Sequence, residues 1–167
     1  MPDLKPISKK SIPAALEKAK HYRLLNQPWQ AESICRDILN ADSDNQQVVY
    51  TLVLAMTDQF EGRHRKSLKK ALEIAGKLQD KYQHEYGTGL IYERQALASL
   101  KRKTPRAGFI AYEYLARAME HYANAEKVRP ANDEESVLRW NSCIRLIRQN
   151  NLEPSPDEPE IQPFLDV

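Results

Sequence analysis

The most constraining feature of the sequence is the stretch 113–147, in which two apolar helical patterns are separated by a short turn. The first pattern spaces small residues around one large aromatic residue, as Ala118-x3-Tyr122-x2-Ala125-x4-Pro130. Small residues at this spacing let a neighbouring helix approach closely, and the proline interrupts the helical hydrogen bonds. A second apolar pattern follows the acidic turn at 132–135. The stretch therefore predicts a pair of antiparallel helices.

The rest of the chain also shows apolar residues that recur every three to four positions, which is typical of amphipathic helices. These patterns predict helices over about 11–25, 28–40, 46–57, 64–82, 84–100, 106–128 and 133–149. Asn132 and Glu135 resemble a capping box at the start of the last helix. Gly87 and Gly89 predict either close packing against the fifth helix or a ligand that lies there. The sequence therefore predicts an all-α fold of about seven helices.

Composition favours a soluble chain with charged helix faces, since 41% of its residues are hydrophobic and 29% are charged. We expect a flexible N-terminal arm over 1–10, a helical domain over 11–150 and a flexible, acidic, proline-rich tail over 151–167. The first residues lack the apolar core of a secretory signal, and no apolar run is long enough to cross a bilayer. We therefore expect a cytoplasmic protein without membrane contact.

An internal repeat appears when 31–43 is compared with 118–130. The spacing Ala31-x3-Cys35-x2-Ile38-x4-Ser43 matches that of the later motif, and a capping-rich turn and a new apolar helix follow each copy. This pattern resembles the tetratricopeptide repeat (TPR) family over about 28–57 and 107–147, and it is degenerate between them. The resemblance implies antiparallel helical hairpins stacked in a short right-handed solenoid with a concave groove.

The resemblance also implies how the groove would bind. In TPR domains, partner peptides lie along the first helix of each hairpin, where Lys, Arg and Asn side chains hold carboxylates. The equivalent positions here are Lys20, Arg23, Tyr50, Leu54, Arg94, Asn141 and Arg145. Tyr50 and Leu54 would supply apolar contact. We therefore predict a non-catalytic protein–protein interaction module, an adaptor that is a monomer or a weak homodimer.

Motifs for chemistry are absent from the sequence. None of the four histidines lies in HExxH, and the two cysteines, Cys35 and Cys143, lack metal-ligand spacing. Both cysteines lie in apolar helical patterns and are interpreted as small core residues. No glycine loop of the phosphate-binding kind is present. We therefore predict that the chain is not an enzyme and uses no cofactor and no metal.

Two other functions remain open. Basic clusters at 63–70 and 101–106 would allow association with nucleic acid through phosphate contacts. A homo-oligomeric structural adaptor would need an exposed apolar face, which Trp140, Ile144 and Ile147 of the last helix would supply. A further hypothesis places the acidic tail in the groove of its own or a neighbouring chain, anchored by Phe164 or Leu165. The sequence does not identify the partner.

Overall fold

The computed structural model describes residues 1–62 and 67–156. Within these ranges, a short 3-10 turn (Lys9–Ser11) precedes seven α-helices, and no strand is present. The helices are α1 (Ile12–Leu24), α2 (Pro28–Ala41), α3 (Gln46–Thr57), α4 (Leu68–Ala75), α5 (Lys81–Lys101), α6 (Ala107–Glu126) and α7 (Glu135–Gln149). The prediction of an all-α chain is confirmed. None of the described helices is both long and apolar enough to cross a membrane.

The predicted helix 64–82 is wrong in its second half. The structure ends α4 at Ala75, with the Gly76 N–H bonded to the Leu72 carbonyl, and begins a new helix at Lys81. Asp80 starts this new helix because its carboxylate accepts a hydrogen bond from the Gln83 N–H at 2.8 Å. The first residues of the predicted helix, 64–66, lie outside the described ranges.

The start of α7 also differs from the predicted capping box. Asn132 has a positive φ of 63°, in the left-handed region that Asn tolerates better than most residues. The carboxylate of Asp133 accepts a hydrogen bond from the Glu135 N–H at 2.9 Å. The turn between α6 and α7 is therefore closed by Asp133, one residue after the predicted cap.

Helix packing follows the order of the chain. Each helix packs against the next one, with the most extensive contact between α5 and α6. Beyond these sequential contacts, α1 packs against α3, and α3 packs against α5. The buried apolar side chains form two clusters, which we call the first core (mainly α1–α4) and the second core (mainly α5–α7). Ile91 and Ala98 of α5 join the first core, so α5 contributes to both.

The segment that follows α7 returns to the beginning of α6. Leu152 and Ser155 are buried there, and the Arg106 Nη2 donates a hydrogen bond to the Ser155 Oγ at 3.3 Å. The first residues of the predicted tail, 151–156, therefore pack against the helical domain. The rest of that tail, 157–167, lies outside the described residues.

Candidate functional site

Three tyrosines near the beginnings of α3 and α5 form what we call the tyrosine floor: Tyr50, Tyr82 and Tyr86. Tyr82 and Tyr86 lie one helical turn apart, so their rings stack with centroids 5.7 Å apart and an interplanar angle of 16°. Tyr50 reaches them from α3, beside Gly87, where an added Cβ would lie 3.7 Å from the Tyr50 Cε2. Tyr50 and Tyr82 are half-buried and Tyr86 is buried. The floor is therefore fixed in position while part of its surface reaches solvent.

Side chains of three other helices influence the pKa of Tyr50. Burial raises the pKa of Tyr50 to about 12, and the neighbouring Tyr86 and Glu135 raise it further. The positive charges of Arg23 and Arg139 act in the opposite direction. These neighbours come from α1, α5 and α7, and Tyr50 itself lies on α3. The odd-numbered helices thus present one common site, which we call the candidate groove.

The first rim of the candidate groove consists of Arg23 and Asp58. The Arg23 Nε donates a hydrogen bond to the Asp58 Oδ2 at 2.7 Å, which joins the end of α1 to the end of α3. The two side chains are 24% and 20% exposed. Because the pair is half-buried, it orients the Arg23 guanidinium and still leaves part of it available to a ligand.

The second rim consists of Asp133, Glu135 and Arg139, at the beginning of α7. The Tyr82 hydroxyl donates to the Asp133 Oδ1 at 3.0 Å, and the Tyr86 hydroxyl donates to the Glu135 Oε2 at 3.2 Å. Burial, followed by the hydrogen bond to Asp133, raises the pKa of Tyr82, and burial also raises the pKa of Tyr86. The hydroxyls therefore stay neutral and donate to the two carboxylates, which fixes the second rim against the floor.

A buried polar network lies behind the second rim and joins α5, α6 and α7. Glu93 is only 2% exposed. Its Oε2 accepts a hydrogen bond from the Tyr122 hydroxyl at 2.5 Å, and its Oε1 accepts one from the Arg139 Nη1 at 3.1 Å. We call these three residues the Glu93 network.

Two members of the Glu93 network, Tyr122 and Arg139, have raised pKa values. Burial and the charge of Glu93 raise the pKa of Tyr122, so its hydroxyl remains a donor. Burial acts to lower the pKa of Arg139, but the charge of Glu93 and the hydrogen bond with Tyr86 outweigh it, and the net shift is upward. A buried carboxylate with one charged and one neutral donor is well satisfied. The network therefore serves to hold α7 in position.

Gly89 explains how Tyr122 reaches Glu93. A Cβ added at Gly89 would lie 2.6 Å from the Tyr122 Cε1 and 2.7 Å from its Cδ1, closer than real Cβ atoms approach. At Gly87, an added Cβ would meet its neighbours at 3.6 Å and 3.7 Å, which is ordinary contact. Of the two interpretations of these glycines, close packing is the one found at Gly89.

Three of the seven residues predicted for the groove lie at or next to it. Arg23 and Tyr50 belong to the first rim and the floor, and Leu54, one turn after Tyr50, is half-buried against the second core. Lys20 is exposed, and its Nζ pairs with the Glu17 Oε1 at 2.8 Å. Arg94 lies eight residues after Tyr86, roughly 12 Å further along α5. The structure thus gathers these residues only in part.

The two residues predicted on α7 lie on another side of that helix. Asn141 and Arg145 follow Arg139 by two and six residues, which places them about 200° and 240° around the helix axis. Because Arg139 turns toward Glu93, they face away from the Glu93 network. Six residues of the site are not among the predicted ones. They are Asp58, Tyr82, Tyr86, Asp133, Glu135 and Arg139. The available signal was a pair of tyrosines one turn apart in α5.

A second aromatic cluster lies between α5 and α6. Tyr92 stacks on His121 with centroids 5.6 Å apart and on Tyr114 at 6.2 Å, and the Arg117 guanidinium lies 5.8 Å from the Tyr92 centroid. The His121 Nδ1 lies 2.7 Å from the Glu85 Oε2. These contacts bind α5 to α6, and we call the five residues the outer aromatic cluster.

A cleft of about 520 Å³ separates the α3–α4 loop from the end of α5. We call it the basic cleft; its lining residues are Phe60, Glu61, Gly62, Ala98, Lys101, Arg102 and Thr104. Glu61 and Lys101 form an ion pair across it. The basic cluster 101–106 therefore lies beside the loop in which the other basic cluster begins. Residues 63–66 of that loop lie outside the described ranges.

Two further features bear on the predictions. In the part of the chain that the structure describes, no three His, Cys, Asp or Glu side chains are grouped as metal ligands would be. Cys35 and Cys143 are buried, and burial raises the pKa of each thiol to about 12, which makes both poor nucleophiles at neutral pH. On α7, Trp140 is 37% exposed, whereas Ile144 and Ile147 are half-buried.

Comparisons with known proteins identify no relative. No protein-family model matches the chain, and neither a curated protein nor a solved structure does so. The structure defines the chain as an all-α protein with a tyrosine-floored candidate groove. Its function must therefore be argued from the side chains of that groove.

Proposed function

We propose that this chain is a non-catalytic, TPR-like protein–protein interaction module that binds a segment of a partner protein in the candidate groove. The observation that carries the proposal is that Tyr50 of α3 packs against both cores and lies beside Gly87 of α5. The neighbouring Tyr82 and Tyr86 bond to the beginning of α7, and Arg23 of α1 bonds to the end of α3. A surface built jointly by four helices, with tyrosine at its centre and arginine at its rims, has the composition of protein-binding hot spots.

Helix spacing supports the TPR-like arrangement. The helices α1, α3 and α5 begin at Ile12, Gln46 and Lys81, so successive starts are 34 and 35 residues apart. The TPR period is about 34 residues. The direct contacts of α1 with α3 and of α3 with α5 are those expected between the first helices of consecutive hairpins. In such a stack these helices line the concave surface, where the floor lies.

The side chains of the groove indicate the chemistry of the partner. The hydroxyls of Tyr82 and Tyr86 already donate to carboxylates, and Tyr86 is buried, so the exposed parts of the half-buried Tyr50 and Tyr82 rings are the contact surface of the floor. Arg23 is oriented by Asp58 and is still partly exposed. We therefore propose an extended or helical partner segment that places apolar or aromatic side chains on the floor and an acidic group near Arg23.

The test is a crosslinked pull-down with the full chain and two matched double variants. The groove variant carries Arg23→Gln and Tyr82→Ala. The control variant carries Arg117→Gln and Tyr114→Ala in the outer aromatic cluster, again one arginine and one half-buried tyrosine. We expect the groove variant to lose the captured partner, with at least a tenfold drop in affinity, and the control to retain it. Equal capture by both, with helicity unchanged, would contradict the proposal.

A second candidate function is association with nucleic acid through the basic cleft. The Glu61–Lys101 ion pair favours it, because this contact holds the residues just before the basic cluster 63–70 against the basic cluster 101–106. Binding of this kind should weaken steeply with salt and show little sequence preference. We expect Lys101→Glu with Arg102→Glu to remove nucleic-acid binding and to leave groove-mediated capture intact. Loss of both activities together would contradict this separation of the two sites.

A further inference from the structure

The basic cleft and the anchored start of the acidic tail are immediate neighbours. Thr104 lines the basic cleft, and the next residue, Pro105, lines a separate cleft of about 260 Å³ that includes Leu152. Leu152 is only 8% exposed, and Arg106 donates a hydrogen bond to Ser155. The last described residues of the chain therefore lie against the same loop that borders the basic cleft.

Charge is complementary across this loop. Lys101 and Arg102 line the basic cleft, and Lys103 is exposed beside them. Glu61 also lines the cleft and pairs with Lys101, so these two charges offset each other and the net positive charge comes from Arg102 and Lys103. The segment 157–167 has no Lys or Arg. Its acidic residues are Asp157, Glu158, Glu160 and Asp166. The acidic segment 157–167 thus directly follows residues 151–156, which pack next to the basic cleft.

The segment 157–167 is long enough to reach the basic cleft. From Pro156, the eleven residues 157–167 can span up to roughly 36 Å when fully extended. The two clefts are lined by consecutive residues, Thr104 and Pro105, so the distance to be crossed is on the order of one helix diameter, roughly 10 Å. The segment is therefore several times longer than it needs to be.

We propose that residues 157–167 dock on the basic cleft of the same chain, mainly through charge, and compete there with polyanionic ligands. The proposal does not rest on the candidate groove, whose tyrosine floor lies near the beginnings of α3 and α5. It differs from the expectation that the tail occupies the groove, because the buried Leu152 and the Arg106–Ser155 hydrogen bond direct the tail to the opposite end of α5.

The strength with which the tail competes against an external polyanion depends on its covalent attachment to the same chain. A short linker gives its attached segment an effective concentration in the mM range. A tail that binds its own cleft with a dissociation constant of about 0.1 mM would then weaken an external ligand roughly tenfold. The effect should be largest at low ionic strength, because exposed charges are screened within about 10 Å at 0.1 M salt.

The first experiment locates the tail in the full chain. A nitroxide spin label is attached at Gln162→Cys, and the native cysteines do not interfere because both are buried. We expect paramagnetic broadening of backbone amides in 60–62 and 98–104, and its loss in high salt. Broadening restricted to 150–156, or centred on the tyrosine floor, would overturn the proposal. So would broadening seen only when spin-labelled and isotope-labelled chains are mixed, since that would place the tail on a second copy.

The second experiment measures the competition with heparin as the polyanion probe. The tail variant neutralises four carboxylates: Asp157→Asn, Glu158→Gln, Glu160→Gln and Asp166→Asn. The control neutralises four exposed carboxylates elsewhere: Asp44→Asn, Glu73→Gln, Glu120→Gln and Glu126→Gln. We expect the tail variant to bind heparin about tenfold more tightly at low salt and the control less than threefold. An equal gain in both variants would show that net charge alone is responsible and would overturn the proposal.

Discussion

The first and second cores stabilise the molecule in different ways. The largest fully buried side chains of the first core are apolar, such as Phe60, Ile38 and Leu52. In the second core, the largest one is Tyr122, whose hydroxyl bonds to the buried carboxylate of Glu93. Apolar burial has no preferred direction and tolerates changes of shape, whereas a buried polar network holds only when every partner is in place.

This difference explains why the candidate groove lies where the two cores meet. Tyr50 packs against both the first core and the second core. On the side of the first core, Tyr50 packs on apolar side chains, and such packing tolerates changes of shape. On the side of the second core, Tyr50 lies near Arg139, whose position depends on its hydrogen bond to Glu93. The geometry of the second rim is therefore set by hydrogen bonds to the buried Glu93 network.

The largest expected effect comes from breaking the Glu93 network. Glu93→Leu would leave the Tyr122 hydroxyl without an acceptor and Arg139 without its counter-charge. An unsatisfied buried hydroxyl costs about 1–3 kcal/mol. The lost counter-charge of Arg139 adds less than it would for a fully buried charge, because that side chain is 34% exposed. We expect these losses together in the free energy of unfolding measured with urea. Leu52→Met, a volume-conserving change in the first core, should cost about 1 kcal/mol or less.

A double variant sharpens this prediction. In Glu93→Leu with Arg139→Leu, the unpaired charge is gone and apolar side chains fill the space, so about half of the lost stability or more should return. If the double variant is as unstable as the two single losses added together, Glu93 and Arg139 are not coupled. The second core would then resemble the first in its tolerance.

Alanine substitutions at two glycines of α5 should differ in their effect on stability. Gly89→Ala places a methyl group 2.6 Å from the Tyr122 ring, and we expect a net destabilisation of about 2 kcal/mol from overpacking. Gly87→Ala meets only ordinary contacts, so the better helix propensity of Ala should make it neutral or stabilising by up to about 1 kcal/mol. Thermal unfolding of both variants measures the difference. Equal stability of the two would show that Tyr122 can move aside.

The apolar spacing of the sequence predicted most helices well, because each helix has apolar residues every three to four positions and most helix ends carry a capping or helix-breaking residue. The break between α4 and α5 does not show in the apolar pattern, because Leu78 and Tyr82 continue the apolar period across it, and Gly76 is the local signal for the helix end. Within the site, Tyr50 and Arg23 could be chosen from their places in the repeat. Arg139 could not, since it joins the site through the pairing of α7 with α5, which no local pattern encodes. The acidic Glu93 within an apolar seam was the one hint of that pairing.

The smallest effect uses the single cysteine that each core contains. Cys35 belongs to the first core and Cys143 to the second, and both are fully buried. Burial is the largest cause that raises the pKa of each thiol from 9 to about 12, followed by the charge of Glu32 for Cys35 and of Glu93 for Cys143.

The raised pKa values make the stability of the protein depend on pH. The thiols of the unfolded chain lose their protons at a lower pH than those of the folded chain. The stability that each buried thiol contributes is therefore complete below pH 9 and is lost as the pH rises from 9 to 12. At pH 10 each thiol should account for about 1 kcal/mol of lost stability. Cys35→Ala and Cys143→Ala should therefore reduce the decline of unfolding free energy between pH 8 and pH 10 by the same amount. A smaller reduction for Cys143→Ala would mean that α7 already admits water at alkaline pH, and the second core would then be the weaker of the two.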